Sequence, residues 1–468
     1  MTPSLILIPK NGTKTADSML ALIGELGLTG TLFAADFYIE GAESWEPAPG
    51  GWLHQSGRIV NVDHHADDAR MKRHVSSANL ALERLGAAGG LAPDDVVAIS
   101  HIDCDSILTA GLLTGRLEPH DRYGAAAVAA DHTGAEDAIA DLLQGLDAHW
   151  SRTRRGPADL GTIEYLFDCL DRLERGVELP DAFAREAQDH RLRARERAAQ
   201  IAQTMTIERG VATAFLEDGE GPVEGELFLP HTPTASLVAS TNPHRDHPGR
   251  WRWKVRLGGG APSWMSLHDL GIRSFDGIFG GRWNAGSNNR PGREEQLPGS
   301  PLAPGDYHSR LVSALDARFL ERAIEIAVDV HRGQRDKAGA PYILHPLRVM
   351  AACESTDAKI VGVLHDVVED GEGWTFERLK GEGFSEQVIA GLEAVTKRPE
   401  DSPPRGASPL ERDKAYFAFC TRAAADPLGR EVKRADLMDN MDVTRLPEIT
   451  EVDRERFRRY EKALELVQ

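Results

Sequence analysis

The spacing of apolar residues changes along this chain at one Pro/Gly-rich segment, residues 290–306 (RPGREEQLPGSPLAPGD). Before this segment, short apolar runs typical of β-strands alternate with helical patterns, which predicts a parallel α/β sheet. After it, from residue 309, apolar residues recur about every 3.6 positions, which predicts an all-helical domain. The chain has 468 residues, more than one ordinary core accommodates, so we expect several domains.

The predicted fold is multidomain: an N-terminal α/β parallel-sheet domain, a small α+β domain and a C-terminal all-α domain. The strands predicted for the first sheet are residues 4–8, 31–37, 58–63, 95–100 and 123–131. The predicted boundaries are an α/β core at 1–160, a helical connector at 161–205, the α+β domain at 206–290, a linker at 291–308 and the helical domain at 309–468.

Composition argues against several classes of protein. The net charge of −19 opposes binding of long nucleic acid through its phosphates, which requires a basic face. No apolar run approaches the roughly 20 residues that span a bilayer, so we expect no membrane partner. The four cysteines form no CxxC pair, which is typical of reduced thiols in the cytoplasm.

Acidic and imidazole side chains follow the predicted strands of the N-terminal domain, where ligands of α/β sheets bind. They are Asp36, Asp63, His64, His65, His101, Asp103, Asp105 and Asp131. Acids at alternate positions leaving a strand can bind neighbouring ions, and two metal ions can clamp the attacking and leaving oxygens of a phosphoryl transfer. The pattern therefore predicts a centre for one or two divalent ions.

A second cluster lies in the helical half, in VLHDVVED at residues 363–370. On a helix, His365 lies one turn before Glu369, and Asp366 one turn before Asp370. His345 offers a second imidazole and Asp436 a further carboxylate, with Asn440 one turn later. This set of nitrogen and oxygen donors suits manganese or zinc. The alternative is that the acidic run is only a solvated face of a helix.

The helical half resembles the HD hydrolase domain of RelA/SpoT-type proteins. The resemblance rests on HRGQRDKAGAPYILHP (331–346), VGVLHDVVEDGEGWTFERLKGEGF (361–384), VTK (395–397) and VKRADLMDNM (432–441), in the family's order. It implies removal of the 3′-pyrophosphate from guanosine tetra- and pentaphosphate. It also implies one Mn²⁺ on His345, His365, Asp366 and Asp436, a water activated by Glu369 and Asp370, and substrate contacts from Lys337 and Asn440.

Two positions depart from that family's pattern. Asp336 stands where one residue of a basic pair is usual, and Asp439 stands where His is usual. The spacing from His345 to His365 is also slightly short. These departures bear on the substrate more than on the metal. No synthetase-like segment follows, so we expect this half only to degrade nucleotides.

The N-terminal half resembles the DHH phosphoesterase superfamily through NVDHH (61–65) and HIDCDS (101–106). The resemblance gives His65 a catalytic role. The segment GIRSFDGIFGGRWNAGSNNR (271–290) resembles the associated substrate-binding domain, in which a Gly-rich loop holds phosphate. It implies substrate contacts from Arg282, Asn284 and Ser287, although the same residues can form only a tight turn.

The order of the two motifs is reversed relative to that superfamily. Either the sheet is permuted, with HIDCDS as the first motif and Asp131 as a bridging acid, or PKNGTKTADS (9–18) is a decayed first motif. In the second interpretation, which we favour, Asp36 is the second motif, HIDCDS takes the fourth position, and Asn11 and Asp17 stand near the altered metal set.

These patterns predict a cytoplasmic, metal-dependent nucleotide phosphohydrolase with two modules and a small-molecule nucleotide substrate. The N-terminal module either cleaves small nucleotides or short oligonucleotides, or is a decayed sensor that regulates the helical hydrolase. A third alternative makes the N-terminal module the main enzyme, a nanoRNase or cyclic-dinucleotide phosphodiesterase. A homodimer is compatible with the sequence.

Overall fold

The computed structural model describes residues 3–65, 75–153, 156–217, 223–289, 296–404, 406–445 and 449–468. The chain divides into two compact units, Met1–His308 and Ser309–Gln468. None of the helices formed by the described residues is long and apolar enough to cross a bilayer. The four cysteines are buried free thiols.

The N-terminal unit contains a six-stranded mixed sheet. Its strands are β1 (Ser4–Leu7), β2 (Leu32–Ala35), β3 (Glu46–Ala48), β4 (Gly51–Leu53), β5 (Ile59–Val62) and β6 (Val96–Ile99). The spatial order is β1–β6–β2–β5–β4–β3. The pairs β1–β6, β6–β2 and β2–β5 are parallel, whereas β5–β4 and β4–β3 are antiparallel. Parallel pairing places the carboxyl ends of β2, β5 and β6 at one edge of the sheet.

Both faces of this sheet are covered, which explains why its strands are short continuous apolar runs. Phe33 of β2 packs into a core with the helices on one face, whereas its neighbour Leu32 packs with Met19 on the other. The helices of the unit are α1 (Ala16–Glu25), α2 (Ser77–Ala88), α3 (Cys104–Leu113), α4 (Asp121–Val128), α5 (Ala138–Thr153), α6 (Leu160–Glu174) and α7 (Ala182–Ala202). Phe167 of α6 and Phe183 of α7 join the same core as Phe33, so the predicted connector is packed against the α/β core.

The prediction of a strand at residues 123–131 is wrong, because this segment is helical. It forms most of α4 and a π-helical turn at Ala129–Thr133. Alanine, the strongest helix former, dominates the segment, and a short apolar run does not by itself distinguish a buried helix from a buried strand. Asp131 therefore leaves a helical turn and not a strand.

A second six-stranded sheet completes the N-terminal unit. Its strands are β7 (Thr206–Glu208), β8 (Val211–Phe215), β9 (Leu237–Pro243), β10 (Trp251–Leu257), β11 (Gly280–Gly281) and β12 (Ala285–Ser287). The order is β11–β12–β10–β9–β8–β7, and only β8 and β9 pair in parallel among these described strands. The β11–β12 hairpin is tight, since a Cβ on Gly281 would lie 2.2 Å from the carbonyl oxygen of Ala285.

The end of the predicted linker, residues 291–308, is helical, because α8 (Pro304–Val330) begins there. The ring of Tyr307 stacks on Trp253 of β10 with centroids 4.0 Å apart, and its hydroxyl donates to Asp276 at 2.9 Å. The start of this helix is therefore packed against the second sheet. Residues 290–295 lie outside the described part of the chain.

The C-terminal unit is helical in its described residues. Besides α8, its helices are α9 (Leu344–Ala351), α10 (Thr356–Leu364), α11 (Val367–Asp370), α12 (Phe376–Gly381), α13 (Glu386–Val395), α14 (Pro409–Ala425), α15 (Pro427–Asn440) and α16 (Glu451–Leu464). Helix α10 packs against α9, α13 and α15 and is buried from Ile360 to Leu364. Gly362 lets α9 and α10 approach closely, because a Cβ there would lie 3.2 Å from the Cα of Met350.

The VLHDVVED segment is not one continuous helix, contrary to our prediction. Helix α10 ends at Leu364, and α11 begins at Val367. The imidazole Nδ1 of His365 donates to the carbonyl oxygen of Gly362 at 2.8 Å. That carbonyl is the one to which the N–H of Asp366 would donate in a continuing helix, so the side chain replaces a backbone bond. His365 and Asp366 therefore lie at a break between two helices.

Candidate metal centres

Two imidazoles and two carboxylates converge in the C-terminal unit. The Nε2 atom of His345 lies 3.3 Å from Oδ1 of Asp436 and 3.9 Å from Oδ2 of Asp366. The Nε2 atom of His365 lies 3.1 Å from the same oxygen of Asp366 and 4.0 Å from Oδ1 of Asp436. His345, His365 and Asp366 each offer a donor atom within 4.8 Å of the others. The four predicted ligands thus surround one point, with two nitrogen and two oxygen donors.

Both imidazoles are held with Nε2 towards the cluster. His365 donates from Nδ1 to Gly362, and His345 donates from Nδ1 to Oδ2 of Asp439 at 2.7 Å. Asp439 is in turn fixed by the guanidinium of Arg348, with Nη2 at 3.1 Å. A hydrogen bond at the far nitrogen is the usual way in which proteins orient metal-binding imidazoles. The Asp that departs from the family pattern thus has an orienting contact.

Further contacts hold the two carboxylates of this cluster. Asp436 accepts from Nζ of the buried Lys433 at 2.8 Å and from the side-chain amide of Asn440, and Asp366 accepts from the hydroxyl of Tyr342. Sequence analysis gave no role to Lys433 or Tyr342, although both lie inside the quoted motifs. Asn440, predicted to contact substrate, contacts the carboxylate of Asp436 in the structure.

The electrostatics of the cluster favour a cation. Burial lowers the pKa of His345, but hydrogen bonds to Asp436 and Asp439 outweigh it and raise that pKa to about 9. Burial raises the pKa of Asp436, but Lys433 and the imidazoles outweigh it and hold the pKa well below its usual range. Ionised carboxylates around two inward-facing ring nitrogens are the donors that a divalent transition metal takes, so these residues fit the expected ion.

The other predicted residues of this unit lie around the cluster. Glu369 is held by Lys397, accepting from its backbone N–H at 2.7 Å and from Nζ at 3.0 Å. Asp370 is exposed at the end of α11, and partial burial together with Asp366 raises its pKa. Lys337 is exposed, next to a turn in which Asp336 accepts from the N–H groups of Ala338 and Ala340.

The second cluster lies at the carboxyl edge of the first sheet. Asp36 follows β2 in the left-handed conformation, with φ at 56°. Its carboxylate accepts from the hydroxyls of Ser77 at 2.9 Å and Ser106 at 2.7 Å. The Nε2 atom of His101 lies 3.3 Å from Asp36 and 3.1 Å from Asp103. Asp36, His101 and Asp103 therefore form a first donor group, which fits a divalent cation.

A second donor group lies beside the first. The Nε2 atom of His64 lies 3.4 Å from Oδ2 of Asp131. The guanidinium of Arg282 also lies here, with Nη1 at 3.1 Å from His64 and Nη2 at 3.0 Å from Asp131. Arg282 was predicted to contact substrate, whereas the structure places it among predicted metal ligands.

Other contacts engage three of the residues that were predicted at this edge, namely Asp63, His65 and Asp105. Asp63 is buried and accepts from Nδ1 of His65 at 2.5 Å and from its backbone N–H at 3.0 Å. Asp105 accepts from the N–H groups of Ser77 and Ala78 at the start of α2, at 2.7 and 2.8 Å, although it also lies 3.3 Å from His64. Asp63 thus orients His65, and Asp105 caps a helix.

The residues around Asp36 come from separate parts of the chain. Ser77 at the start of α2 donates to Asp36, while Ser106 and His101 reach it from the segment after β6. Asn11 and Asp17, which our favoured motif order placed near the metals, are exposed. Both motif orders assign HIDCDS to the metal site, so the motif order stays a prediction.

A cavity of about 440 Å³ opens beside His65. Residues of the second sheet line it, among them Lys254, Arg256, Arg282 and Ser287. Asn284 is instead buried and donates to Nδ1 of His132 at 3.0 Å. Glu224 and Glu226 line the same cavity, and Arg256 donates to Glu226 at 2.8 Å. Lys254 and Arg282 remain next to a donor cluster, where they can contact a phosphorylated ligand.

Part of the chain is similar to curated proteins of the RelA/SpoT group. A segment of 129 residues is 33% identical to guanosine-3′,5′-bis(diphosphate) 3′-pyrophosphohydrolase of Aquifex aeolicus, covering 27% of this chain and 18% of that protein. A segment of 132 residues is 36% identical to GTP pyrophosphokinase of Streptomyces coelicolor, covering 27% and 15%. The chain thus spans less than a fifth of the length of these relatives.

No protein family model matches the chain. A pGpG-specific phosphodiesterase from Vibrio cholerae is a structural neighbour, with a TM-score of 0.33 and 9% identity over 50% of this chain and 88% of that chain. At these values the two folds are not shown to be equivalent.

Proposed function

We propose that the C-terminal unit is a manganese-dependent pyrophosphohydrolase that removes the 3′-pyrophosphate from (p)ppGpp-like nucleotides. The observation that carries this proposal is the convergence of His345, His365, Asp366 and Asp436 on one point. The first of the similar relatives, matched over 129 residues, is named for this reaction.

The proposed reaction adds water across the bond between the 3′-oxygen and phosphorus, releasing pyrophosphate and leaving a 3′-hydroxyl. Mn²⁺, when bound, polarises the phosphoryl oxygen and lowers the pKa of water. Asp370 is the proposed base, because partial burial and the neighbouring Asp366 raise its pKa, which makes it a stronger base, and its carboxylate is exposed. Glu369 positions Lys397, whose ammonium supplies a positive charge beside the cluster.

Nucleotide turnover resolved by chromatography tests this proposal. The chain is incubated with Mn²⁺ and ppGpp, pppGpp, their adenosine analogues, cyclic dinucleotides or a dinucleotide RNA. We expect GDP and pyrophosphate from ppGpp, loss of this reaction in Asp366→Ala, and retention in the exposed-site control Glu461→Gln. If no alarmone is hydrolysed while a dinucleotide is cleaved, the proposal is wrong.

We propose a second activity, hydrolysis of a phosphoester in a small nucleotide, for the N-terminal unit. The observation that favours it is the convergence of Asp36, His101, Asp103, His64 and Asp131 from separate chain segments, beside the cavity at His65. Loss of dinucleotide cleavage in His101→Ala, with ppGpp hydrolysis retained, supports an enzyme. Nucleotide binding without turnover supports the alternative of a regulatory sensor.

The four buried free cysteines support the proposed cytoplasmic setting.

A further inference from the structure

Arg282 extends from the β11–β12 hairpin into the N-terminal donor cluster. Its backbone N–H donates to Ala285 at 2.9 Å across the turn. The tight glycine approach at Gly281 fixes this turn, and the guanidinium is only 21% exposed. Arg282 therefore occupies its position as part of a closed hairpin and not as a freely moving surface chain.

The guanidinium contacts the atoms that a second metal ion would need. Nη1 donates to Nε2 of His64 at 3.1 Å and to Nε2 of His65 at 2.8 Å, and Nη2 donates to Oδ2 of Asp131 at 3.0 Å. Because arginine only donates, both imidazoles must present an Nε2 lone pair to it. Those lone pairs are the ones that would bind a metal.

The second donor group also contains the imidazole of His132, which the same hairpin contacts. His132 accepts from the side-chain amide of Asn284 at Nδ1, at 3.0 Å, and donates from Nε2 to the carbonyl of Val75 at 3.0 Å. Both of its ring nitrogens therefore have partners. Two residues of one hairpin, Arg282 and Asn284, contact the second donor group.

The first donor group differs in this respect. Besides the imidazoles, Asp36 meets the hydroxyls of Ser77 and Ser106, which use one lone pair of each carboxylate oxygen. Nε2 of His101 faces Asp36 and Asp103, while its Nδ1 meets Ser100 Oγ at 2.9 Å. These donors can still surround a divalent ion.

We propose that Arg282 is a built-in cation that takes the place of a second metal ion, so that the N-terminal unit binds a single divalent ion through Asp36, His101 and Asp103. The inference rests on the metal site proposed above for this unit.

An arginine in place of a second metal ion limits the chemistry of the N-terminal site. A guanidinium binds phosphate oxygens in a fixed geometry and stays charged, but it has no open coordination position at which to activate water. The N-terminal site would therefore combine one metal ion with one arginine, and a chelator would remove only the metal.

Metal stoichiometry of the full chain tests the inference independently of activity. The chain carries His345→Ala and Asp366→Ala to disable the C-terminal site, and bound Mn²⁺ is measured by titration with electron paramagnetic resonance of the free ion. We expect one Mn²⁺ per chain, two after Arg282→Ala or Arg282→His, and one after Arg282→Lys. The control Arg273→Ala, which removes another arginine of the second sheet region, should remain at one.

The outcomes separate the two proposals. No Mn²⁺ in any of these variants overturns the N-terminal metal site itself. Two ions with Arg282 intact, or one ion both with and without it, leaves the metal site standing and overturns the role of Arg282. Agreement between Arg282→Ala and Arg282→His guards against a misfolded variant, because only a folded cluster gains a second ion in both.

Discussion

The Nδ1 atom of His345 lies 2.7 Å from Oδ2 of Asp439, and this contact turns the opposite ring nitrogen towards Asp366 and Asp436. Asp439 is separated from His345 by 94 positions in the sequence. The carboxylate therefore belongs to the C-terminal cluster as an orienting group, although it lies outside the predicted ligand set.

We expect Asp439→Ala to weaken Mn²⁺ binding at the C-terminal site by about 10- to 100-fold, since imidazole ligands lose affinity without their orienting partner. Titration with Mn²⁺ measures this in a chain whose N-terminal centre carries His101→Ala and Asp103→Ala. The exposed carboxylate variant Glu461→Gln serves as the control. An unchanged affinity would show that His345 is oriented without Asp439.

Lys433 and Asp436 form a buried ion pair, and we expect Lys433→Met to destabilise the metal-free chain by about 3–5 kcal/mol. The cause is the buried carboxylate that remains without its cation. Mn²⁺ should recover much of the loss, because the metal supplies the missing charge. Thermal unfolding with Mn²⁺ and with EDTA measures both effects. Equal destabilisation in the two conditions would argue against Asp436 as a ligand.

Asp370→Asn should lower kcat for ppGpp by about 10²- to 10⁴-fold, the range for loss of a general base, while Mn²⁺ affinity stays within twofold. Glu369→Gln should have a smaller effect on kcat and raise KM, because Glu369 acts through Lys397. Steady-state kinetics with direct metal titration distinguishes the two. The reverse ranking would make Glu369 the base.

Arg191 is 1% exposed and donates to Asp141 at 3.1 Å and to Glu224. We expect Arg191→Met to lower the free energy of unfolding of the N-terminal unit by about 1–3 kcal/mol, because Glu224 loses its buried partner while Asp141 keeps the guanidinium of Arg195 at 2.7 Å. Arg191→Lys should recover only part, since an ammonium lacks the planar fork. Urea unfolding measures the change, with the exposed Arg175→Met as control. A loss below about 1 kcal/mol would mean that water replaces the guanidinium.

Much of the donor chemistry was visible in the sequence, because His and Asp after apolar strands mark the edge where ligands bind. The backbone at those residues was less predictable. The alanines of 123–131 suit a helix as well as a buried run, and the helix break at His365 depends on a side chain taking the carbonyl of Gly362. The local sequence pattern does not show which of these alternatives the folded chain adopts.

Contacts across long sequence separations were not predictable from one sequence. Arg282 lies 218 positions from His64, and Arg348 lies 91 positions from Asp439. Arg348 has no local signal, and its role is visible only when the fold brings it to Asp439. Arg282 was predicted from the Gly-rich loop to contact phosphate, and nothing in that loop indicated a contact with metal donors.

The close approach of α9 and α10 at Gly362 has a consequence for the tolerance of the C-terminal centre. His345 is carried by α9 and His365 follows α10, so the separation of their rings, 5.2 Å between centroids, is a property of how the two backbones touch. Metal bonds tolerate errors of only about 0.2 Å. One added methyl group at Gly362 therefore pushes the two helices apart and changes the separation of the His345 and His365 rings, although it touches neither ligand. Changes to distant core side chains leave that separation as it is.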